Sequence, residues 1–294
     1  MKFSKFNFRI IGLPLVRPFR TSFGTQTHRE VLIIEVVTEE NISGWAECVA
    51  MSEPLYSPEY VAGCLDLIKR FLIPALNFES SAEQVATKLK PFLGGQMAKA
   101  ALETAILDAQ LKKSNISLTK YLGANKTKVE CGVSVGIADS IPKLIDEVSD
   151  YVEQGYRRIK LKIEPNWDYE PVKEVRNRWA EIPLHVDANQ AYSRNDGKLL
   201  ARLDEFNLLL IEQPLDEHDI LGHSQLAKIV KTPICLDESI ISLQSAQDAI
   251  EMQATSVINI KPGRVGGYIE SVKIHDLCLS KKIPVWCGGM LENL

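Results

Sequence analysis

Residues 158–163 read RIKLKI, a short apolar run that carries a charged side chain, Lys162, close to its end. The same pattern returns in four later segments: LHVDAN (184–189), LLLIEQP (208–214), PICLDES (233–239) and VINIKPG (257–263). Lys162, Asp187, Glu212 and Asp237 lie 25 residues apart, each from the next, and Lys261 follows after 24. Because each interval holds one strand and one helix, the spacing predicts parallel strands with a polar side chain at each end.

Two flanking segments, VECGVSVG (129–136) and PVWCGGM (284–290), bring the number of predicted parallel strands to seven. A doubly wound sheet is disfavoured, because no GxGxxG follows the first strand and no GxxxxGK[ST] occurs. The sequence therefore predicts an α/β TIM-type barrel of the (β/α)7β kind, with its active site at the carboxyl ends of the strands. Since the sequence stops just after the seventh strand, we expect a barrel truncated at the C-terminus and a chain that is a fragment.

The first part of the chain has a different pattern. The β-rich stretches KFNFRIIGLPL (5–15) and VLIIEVVT (31–38) flank a segment rich in Thr, Ser and Gly, residues 17–30, which we predict to be a loop. From residue 58 to residue 122 the apolar side chains fall at helical spacing. We therefore predict an α+β capping domain over residues 1–125 and a barrel domain over residues 126–294.

The composition narrows the class of partner. The 294 residues carry 34 basic and 38 acidic side chains, a formal charge of −4, and no basic cluster that would attract nucleic acid or an anionic membrane. The longest apolar runs are far too short to span a bilayer, and the N-terminus lacks the apolar core of a signal peptide. The six cysteines are scattered, which is typical of reduced, buried thiols. We expect a cytoplasmic protein that acts on a small molecule.

Three carboxylates, Asp187, Glu212 and Asp237, end three consecutive predicted strands and would be neighbours at the barrel mouth. Without counter-charges they would repel one another, and a divalent cation resolves that conflict. Oxygen ligands select Mg²⁺, Mn²⁺ or Ca²⁺ over zinc, and a site that leaves room for water and substrate suits Mg²⁺ best. The alternative is that each acid caps the helix that follows it.

Lys160 and Lys162 are two residues apart on a strand and face the same side, while Leu161 faces the other. If Leu161 packs under the helices, both amines point into the barrel. Lys261 ends a strand four positions away, on the opposite side of an eight-membered ring. A partly desolvated amine near cations can serve as a general base. The alternative, a solvated charge at a strand end, is strongest for Lys160.

Six motifs, KLK, HVDANQAY, LLIEQPL, CLDESI, INIKPGRVGG and GGMLE, resemble the enolase superfamily in its muconate-lactonizing subgroup. Within that subgroup, GWAECVAMSEPLYSPEY (44–60), CGVSVG (131–136) and KPGRVGG (261–267) resemble the branch of o-succinylbenzoate synthases and N-acylamino acid racemases. The likeness runs from about Phe8 to Leu294. Members of the superfamily use a Lys or His base beside Mg²⁺.

The resemblance implies roles for individual residues. Lys162 matches a general acid/base, Lys261 matches the lysine on the opposite face of the substrate, and Asp187, Glu212 and Asp237 match ligands of Mg²⁺, for which Mn²⁺ can substitute. Residues 18–25 and 51–56 match two loops that cap the barrel. The positions that match substrate contacts or supports of the metal ligands are Ser134, Lys160, Asn189, Glu238, Gly289, Met290, Glu292, Phe19, Phe23 and Tyr56.

The resemblance also implies the activity. The leading expectation is the metal-dependent dehydration that forms o-succinylbenzoate in menaquinone biosynthesis, through removal of a proton α to a carboxylate and an enediolate intermediate. The alternative is racemisation of N-acylamino acids by two bases. A non-catalytic carboxylate-binding protein is the hypothesis from another class. We expect a homo-oligomer that binds a small carboxylate substrate and has neither nucleic-acid nor membrane partners.

Overall fold

The computed structural model describes residues 1–292. The molecule has two parts, an N-terminal part and a half-barrel, each with its own apolar core. The N-terminal part is a three-stranded antiparallel sheet in the order β1-β2-β3, packed on helices. Its strands are β1 (Phe3–Thr21), β2 (Gly24–Thr38) and β3 (Ser43–Cys48). Its helices are α1 (Val61–Leu67), α2 (Ile73–Leu76), α3 (Ala82–Leu89), α4 (Gln96–Ser114) and α5 (Leu118–Tyr121), with a π-helical segment at Ile68–Leu72 between α1 and α2.

The prediction of a loop over residues 17–30 is wrong for most of that segment. Strands β1 and β2 continue as a long two-stranded ribbon, with Arg20 opposite Thr25 and a turn at residues 22–23. Many side chains of the ribbon are exposed, so its sequence is polar and lacks the alternation of a half-buried strand. The register shifts between Pro14 and Phe19, an irregularity of the kind that bends a strand.

Helix α4 holds the N-terminal sheet together. It packs closely on β3, where a Cβ added to Gly44 would lie 2.0 Å from the carbonyl oxygen of Ala105 and 2.8 Å from the Cβ of Ala109. Only glycine allows that approach. The small side chains of α4, including Ala98, are buried in the same core, as the helical spacing predicts.

The seven predicted parallel strands are confirmed. They form one curled sheet, a half-barrel in the order β10-β9-β8-β7-β6-β5-β4. The strands are β4 (Gly132–Val135), β5 (Arg158–Lys162), β6 (Leu184–Asp187), β7 (Ile211–Glu212), β8 (Ile234–Leu236), β9 (Val257–Ile260) and β10 (Val285–Cys287). The helices between and beside them are α6 (Ile141–Glu153), α7 (Tyr169–Arg178), α8 (Gly197–Leu200), α9 (Ile220–Leu226), α10 (Leu243–Glu251), α11 (Pro262–Val265) and α12 (Tyr268–Lys281), with 3-10 turns at Arg194–Asp196 and Ala201–Phe206.

The register of the half-barrel places the polar strand ends side by side. Lys162 of β5 lies opposite Asp187 of β6, which lies opposite Glu212 of β7. Leu161 is buried in the core between sheet and helices, so the lysines on either side of it face the lumen, as predicted. The domain boundary near residue 125 stays a prediction. No helix within residues 1–292 is long and apolar enough to cross a membrane.

Candidate active site

The carboxyl ends of β5 to β7 bring acidic and basic side chains together. Asp187 accepts hydrogen bonds from Lys162 at 2.7 Å and from Lys160 at 2.8 Å, both on its Oδ2 atom. Lys160 also reaches Glu212 at 3.2 Å. The Nδ2 atom of Asn259 donates to Glu212 Oε1 at 2.9 Å. Each carboxylate is almost fully buried, so these partners replace the water that its charge would otherwise require.

A second cluster lies at the ends of β8 and β9. Lys261 donates to Asp237 Oδ2 at 2.7 Å, and the guanidinium of Arg264 pairs with the other oxygen of the same carboxylate. The hydroxyl of Tyr56 lies 3.3 Å from Lys261 Nζ and 3.2 Å from Arg264 Nη1. These side chains are all less than 8% exposed. Tyr56 belongs to the N-terminal part, so this cluster joins the two parts of the molecule.

Asn189 and Glu238 connect the two clusters. The side chain of Asn189 accepts a hydrogen bond from Lys162 through Oδ1 and donates to Glu238 Oε1 at 2.9 Å through Nδ2. The other oxygen of Glu238 is buried and has no hydrogen-bond partner within the described residues. Burial, followed by the negative charge of Asp187, raises the pKa of Glu238 to about 7. An unsatisfied carboxylate oxygen close to another carboxylate marks a place for positive charge.

The two lysines differ in their electrostatic surroundings. Burial lowers the pKa of Lys162 by more than the charge of Asp187 raises it, so the net shift is downward. Burial also lowers the pKa of Lys261, but Tyr56 and the carboxylates around it outweigh that effect and raise the pKa above its ordinary value. For Asp187, the nearby charges of Lys160 and Lys162 overcome the effect of burial and hold the pKa below its usual range.

The predicted capping segments do cover these clusters. Phe19, Phe23, Met51 and Tyr56 line a cavity whose floor contains the three lysines and Asn189. The ring of Phe19 lies 5.9 Å from Lys162 Nζ, and the ring of Tyr56 lies 5.1 Å from Lys261 Nζ. Ser22 donates to the backbone carbonyl of Asn189 at 3.0 Å, which fastens the β1–β2 turn to the barrel.

The other predicted contact positions divide into two groups. Ser134, Gly289 and Met290 line the same cavity. Glu292 instead lines a separate cavity on the side of β3 and α4, where its carboxylate accepts a hydrogen bond from the backbone of Met290 at 2.5 Å. The structure therefore does not place Glu292 with the lysines, because its side chain turns back onto its own loop.

Sequence reasoning missed two side chains of the site, Arg264 and Asn259. Asn259 lies on β9, two residues before Lys261, which directly follows the strand, and residues two apart in extended chain share a face. Arg264 lies in the glycine-rich KPGRVGG turn and is only 4% exposed. A buried charge needs a partner, but the sequence does not show which of the nearby carboxylates it pairs with.

The residues present fit a divalent cation. Within residues 1–292, no three His, Cys, Asp or Glu side chains stand together as a ready cation site, and ammonium and guanidinium groups hold the predicted ligands instead. The donors are nonetheless hard carboxylate oxygens, and Glu238 Oε2 is left unsatisfied at the same strand ends. Asp187, Glu212 and Asp237 would hold Mg²⁺ there, in exchange for their contacts with the lysines.

Comparison with known proteins agrees with this arrangement. A family model described as enolase C-terminal domain-like matches residues 143–294, and the model of the mandelate racemase / muconate lactonizing enzyme N-terminal domain matches residues 8–123. The chain is 54% identical to an N-succinylamino acid racemase from Amycolatopsis sp, with 100% of this chain and 80% of the relative covered. It is 45% identical to an o-succinylbenzoate synthase from Geobacillus kaustophilus, with 97% of this chain and 76% of the relative covered.

A solved structure adds a bound cation. The dipeptide epimerase from Enterococcus faecalis, complexed with Mg and the dipeptide L-Leu-L-Tyr, superposes with a TM-score of 0.88 at 27% identity, covering 98% of this chain and 82% of that chain. The chain therefore belongs to the enolase superfamily, in the mandelate racemase and muconate lactonizing enzyme group, close to N-succinylamino acid racemase and o-succinylbenzoate synthase. The predicted family and barrel fold are confirmed.

Proposed function

We propose that this enzyme racemises N-acylamino acids, N-succinylamino acids first among them, by moving the α-proton between Lys162 and Lys261. One observation carries the proposal. Lys162 and Lys261 are bound to different carboxylates, Asp187 and Asp237, and lie at the ends of β5 and β9 with three strands between them. A substrate held among those strands would meet one amine on each face.

In the proposed reaction one lysine is neutral and the other is protonated. Neutral Lys162 takes the α-proton from one face of the substrate, and the Lys261 ammonium delivers a proton to the other face; the reverse reaction exchanges these roles. Bound Mg²⁺ supplies positive charge that stabilises the negative charge developing at the substrate carboxylate. Asn189 keeps a hydrogen bond to Lys162 that does not depend on Asp187, so it holds the amine in place throughout.

The charges of the site favour a substrate with two carboxylates. Four acidic side chains (Asp187, Glu212, Asp237 and Glu238) meet four basic ones (Lys160, Lys162, Lys261 and Arg264) in a buried space. With all eight groups ionised their formal charges cancel, so a divalent cation would leave two positive charges in need of compensation, or one when Lys162 is neutral. An N-succinylamino acid carries two carboxylates, whereas an N-acetylamino acid carries one. We therefore expect the succinyl derivative to bind more tightly.

The second candidate, favoured by the relative that is 45% identical, is the dehydration that forms o-succinylbenzoate. In that reaction Lys162 takes the α-proton and then protonates the departing hydroxyl on the same face, while Lys261 contributes only charge. Its substrate also carries two carboxylates, so the charge argument supports both reactions. The non-catalytic alternative needs the loss of one of the five predicted catalytic and metal-binding residues, and all five are present.

The test is to incubate each enantiomer of an N-succinylamino acid with the protein and Mg²⁺ in D₂O. The proposal expects deuterium at the α-carbon of both enantiomers and interconversion of the two, measured by NMR and chiral chromatography. An N-acetyl analogue gives the matched comparison for the charge argument. A parallel incubation supplies the succinylated hydroxycyclohexadiene carboxylate that dehydration would consume. Formation of o-succinylbenzoate from it, with no exchange in either enantiomer of the N-succinylamino acid, would leave dehydration as the function. The cytoplasmic location and the homo-oligomeric state stay predictions.

A further inference from the structure

Each of the two proposed bases, Lys162 and Lys261, has one acidic and one neutral hydrogen-bond partner. For Lys162 the neutral partner is the side-chain oxygen of Asn189, and for Lys261 it is the hydroxyl of Tyr56, at 3.3 Å. Within residues 1–292, the hydrogen bonds of the Lys261 ammonium go to Asp237 and Tyr56. Asp237 is a proposed metal ligand. If its carboxylate binds a cation, Tyr56 is the partner that remains hydrogen-bonded to Lys261.

Tyr56 is well placed for that role. Its side chain is 7% exposed, and its ring lies 6.3 Å from the ring of Phe23, so the hydroxyl has little freedom to move. The same hydroxyl lies 3.2 Å from Arg264 Nη1. A phenolic oxygen can accept two hydrogen bonds, and here the two donors are Lys261 and Arg264.

Hydrogen bonds at both ends hold the loop that carries Tyr56. The buried guanidinium of Arg29 donates to the carbonyls of Ala50 and Val49 at 2.9 and 3.1 Å, where the chain leaves β3. At the far end of the loop, the backbone N–H of Val61 donates to the carbonyl of Met51 at 2.8 Å. These contacts hold the two ends of the loop of residues 51–60, and Tyr56 places that loop at the end of β9.

We propose that Tyr56 is a positioning residue for Lys261, so that the N-terminal part of the molecule sets the geometry of one of the two bases. The proposal rests on the two-base function proposed above. Tyr56 lies within hydrogen-bond distance of Lys261 but makes no hydrogen bond to Lys162, whose side-chain hydrogen bonds go to Asp187 and Asn189 within the described residues. Loss of the hydroxyl therefore affects proton transfer on one face of the substrate.

The experiment measures α-proton exchange in D₂O separately for the two enantiomers of an N-succinylamino acid. Lys162→Ala and Lys261→Ala first establish which enantiomer exchanges through which lysine. For Tyr56→Phe, which keeps the buried ring, we expect about a tenfold or greater loss of exchange through Lys261, as for one hydrogen bond to a charged group, and a change of less than about twofold through Lys162. Mg²⁺ affinity, measured by calorimetry, is expected to stay within about threefold, since no hydrogen bond joins Tyr56 to a proposed ligand.

Tyr192→Phe is the matched control, because it removes a different buried hydroxyl, one that donates to Asp168 at 3.0 Å. It is expected to leave the ratio of the two exchange rates unchanged. An equal loss for both enantiomers in Tyr56→Phe, or no loss at all, overturns the role of Tyr56. If the two lysine variants themselves show no preference for one enantiomer, the two-base function fails instead, so the two failures are distinguishable.

Discussion

Lys162 and Lys261 are held by different parts of the molecule. Both hydrogen-bond partners of Lys162, Asp187 and Asn189, come from the barrel, at the end of β6 and just after it. Lys261 bonds to Asp237 after β8, but its second partner, Tyr56, comes from the N-terminal part. The barrel alone therefore supplies the hydrogen bonds of the first lysine, whereas one hydrogen bond of the second depends on how the two parts pack together.

Because the two lysines are held differently, racemisation and dehydration can change independently of each other within one fold. Same-face dehydration asks Lys162 for both proton transfers and Lys261 only for charge, while racemisation needs an exact position for both amines. Changes in the N-terminal part can then alter racemisation with little effect on dehydration. Changes at the ends of β5 and β6 should affect both reactions.

Removal of the cation should have the largest effect on activity. It should stop α-proton exchange through Lys162 and through Lys261 alike. With Asp187, Glu212 and Asp237 as the proposed protein ligands, exhaustive chelation by EDTA is expected to abolish exchange in both enantiomers, and Mg²⁺ or Mn²⁺ should restore it. The measurement is deuterium incorporation before and after dialysis against the chelator. Exchange that survives chelation would contradict the metal assignment.

Replacement of Lys261 by Arg should separate the two reactions. A guanidinium keeps the positive charge but gives up a proton poorly, because its pKa lies above about 12. We expect racemisation to fall by about 10²- to 10⁴-fold, the usual contribution of a general acid or base, while dehydration is partly retained. Lys162→Ala is the comparison and should remove both reactions. Retained racemisation in Lys261→Arg would exclude Lys261 as a proton donor.

Asn189→Gly is the counterpart of the change at Tyr56. Asn189 has a φ angle of 41°, a left-handed conformation that glycine adopts without strain, so the backbone is expected to stay in place. Loss of the amide should lower exchange through Lys162 by about tenfold, the scale of one hydrogen bond to a charged group, with a smaller effect through Lys261. The ratio of the two rates is the readout. A ratio that moves in the direction seen for Tyr56→Phe would contradict the comparison.

Much of the barrel could be predicted from the sequence because its signal is periodic. The intervals of 24 and 25 residues between Lys162 and Lys261 reflect one strand and one helix each, and both the strands and the facing of Leu161 follow from them. The family motifs then pointed to the same residues. The prediction of a loop over residues 17–30 is wrong for most of the polar ribbon, because an exposed strand leaves no alternating pattern.

The contacts between the two parts of the chain could not be predicted in the same way. Tyr56 lies 205 residues before Lys261, and no local pattern records which loop residue will touch which strand end. The sequence suggested Tyr56 only as a residue that lines the substrate. The partners of Arg264 depend on the same tertiary packing, and its motif alone does not reveal them.

The smallest expected effect concerns a second contact by which the N-terminal part supports the segment that carries Lys261. Glu103 lies in the middle of α4, fully buried, and accepts a hydrogen bond from the backbone N–H of Ile269 in the first turn of α12 at 3.1 Å. Its other oxygen has no hydrogen-bond partner among residues 1–292. Helix α12 directly follows the segment that carries Lys261 and Arg264. The hydrogen bond from Ile269 to Glu103 therefore helps to hold that segment in place.

Burial raises the pKa of Glu103 to about 7, against the lowering effect of the backbone N–H groups of Ile269 and Tyr268. The folded chain therefore holds this proton more tightly than the unfolded chain, and the group's contribution to the free energy of unfolding decreases as the pH rises from about 4.5 to about 7. Glu103→Gln removes that dependence. Relative to the wild type, the variant should gain about 1 to 3 kcal/mol between pH 5 and pH 8, measured by urea unfolding. Glu153→Gln, on the exposed end of α6, is the control and should show no such gain. A wild type and a Glu103→Gln variant whose stabilities change in parallel with pH would show that Glu103 does not titrate in this range.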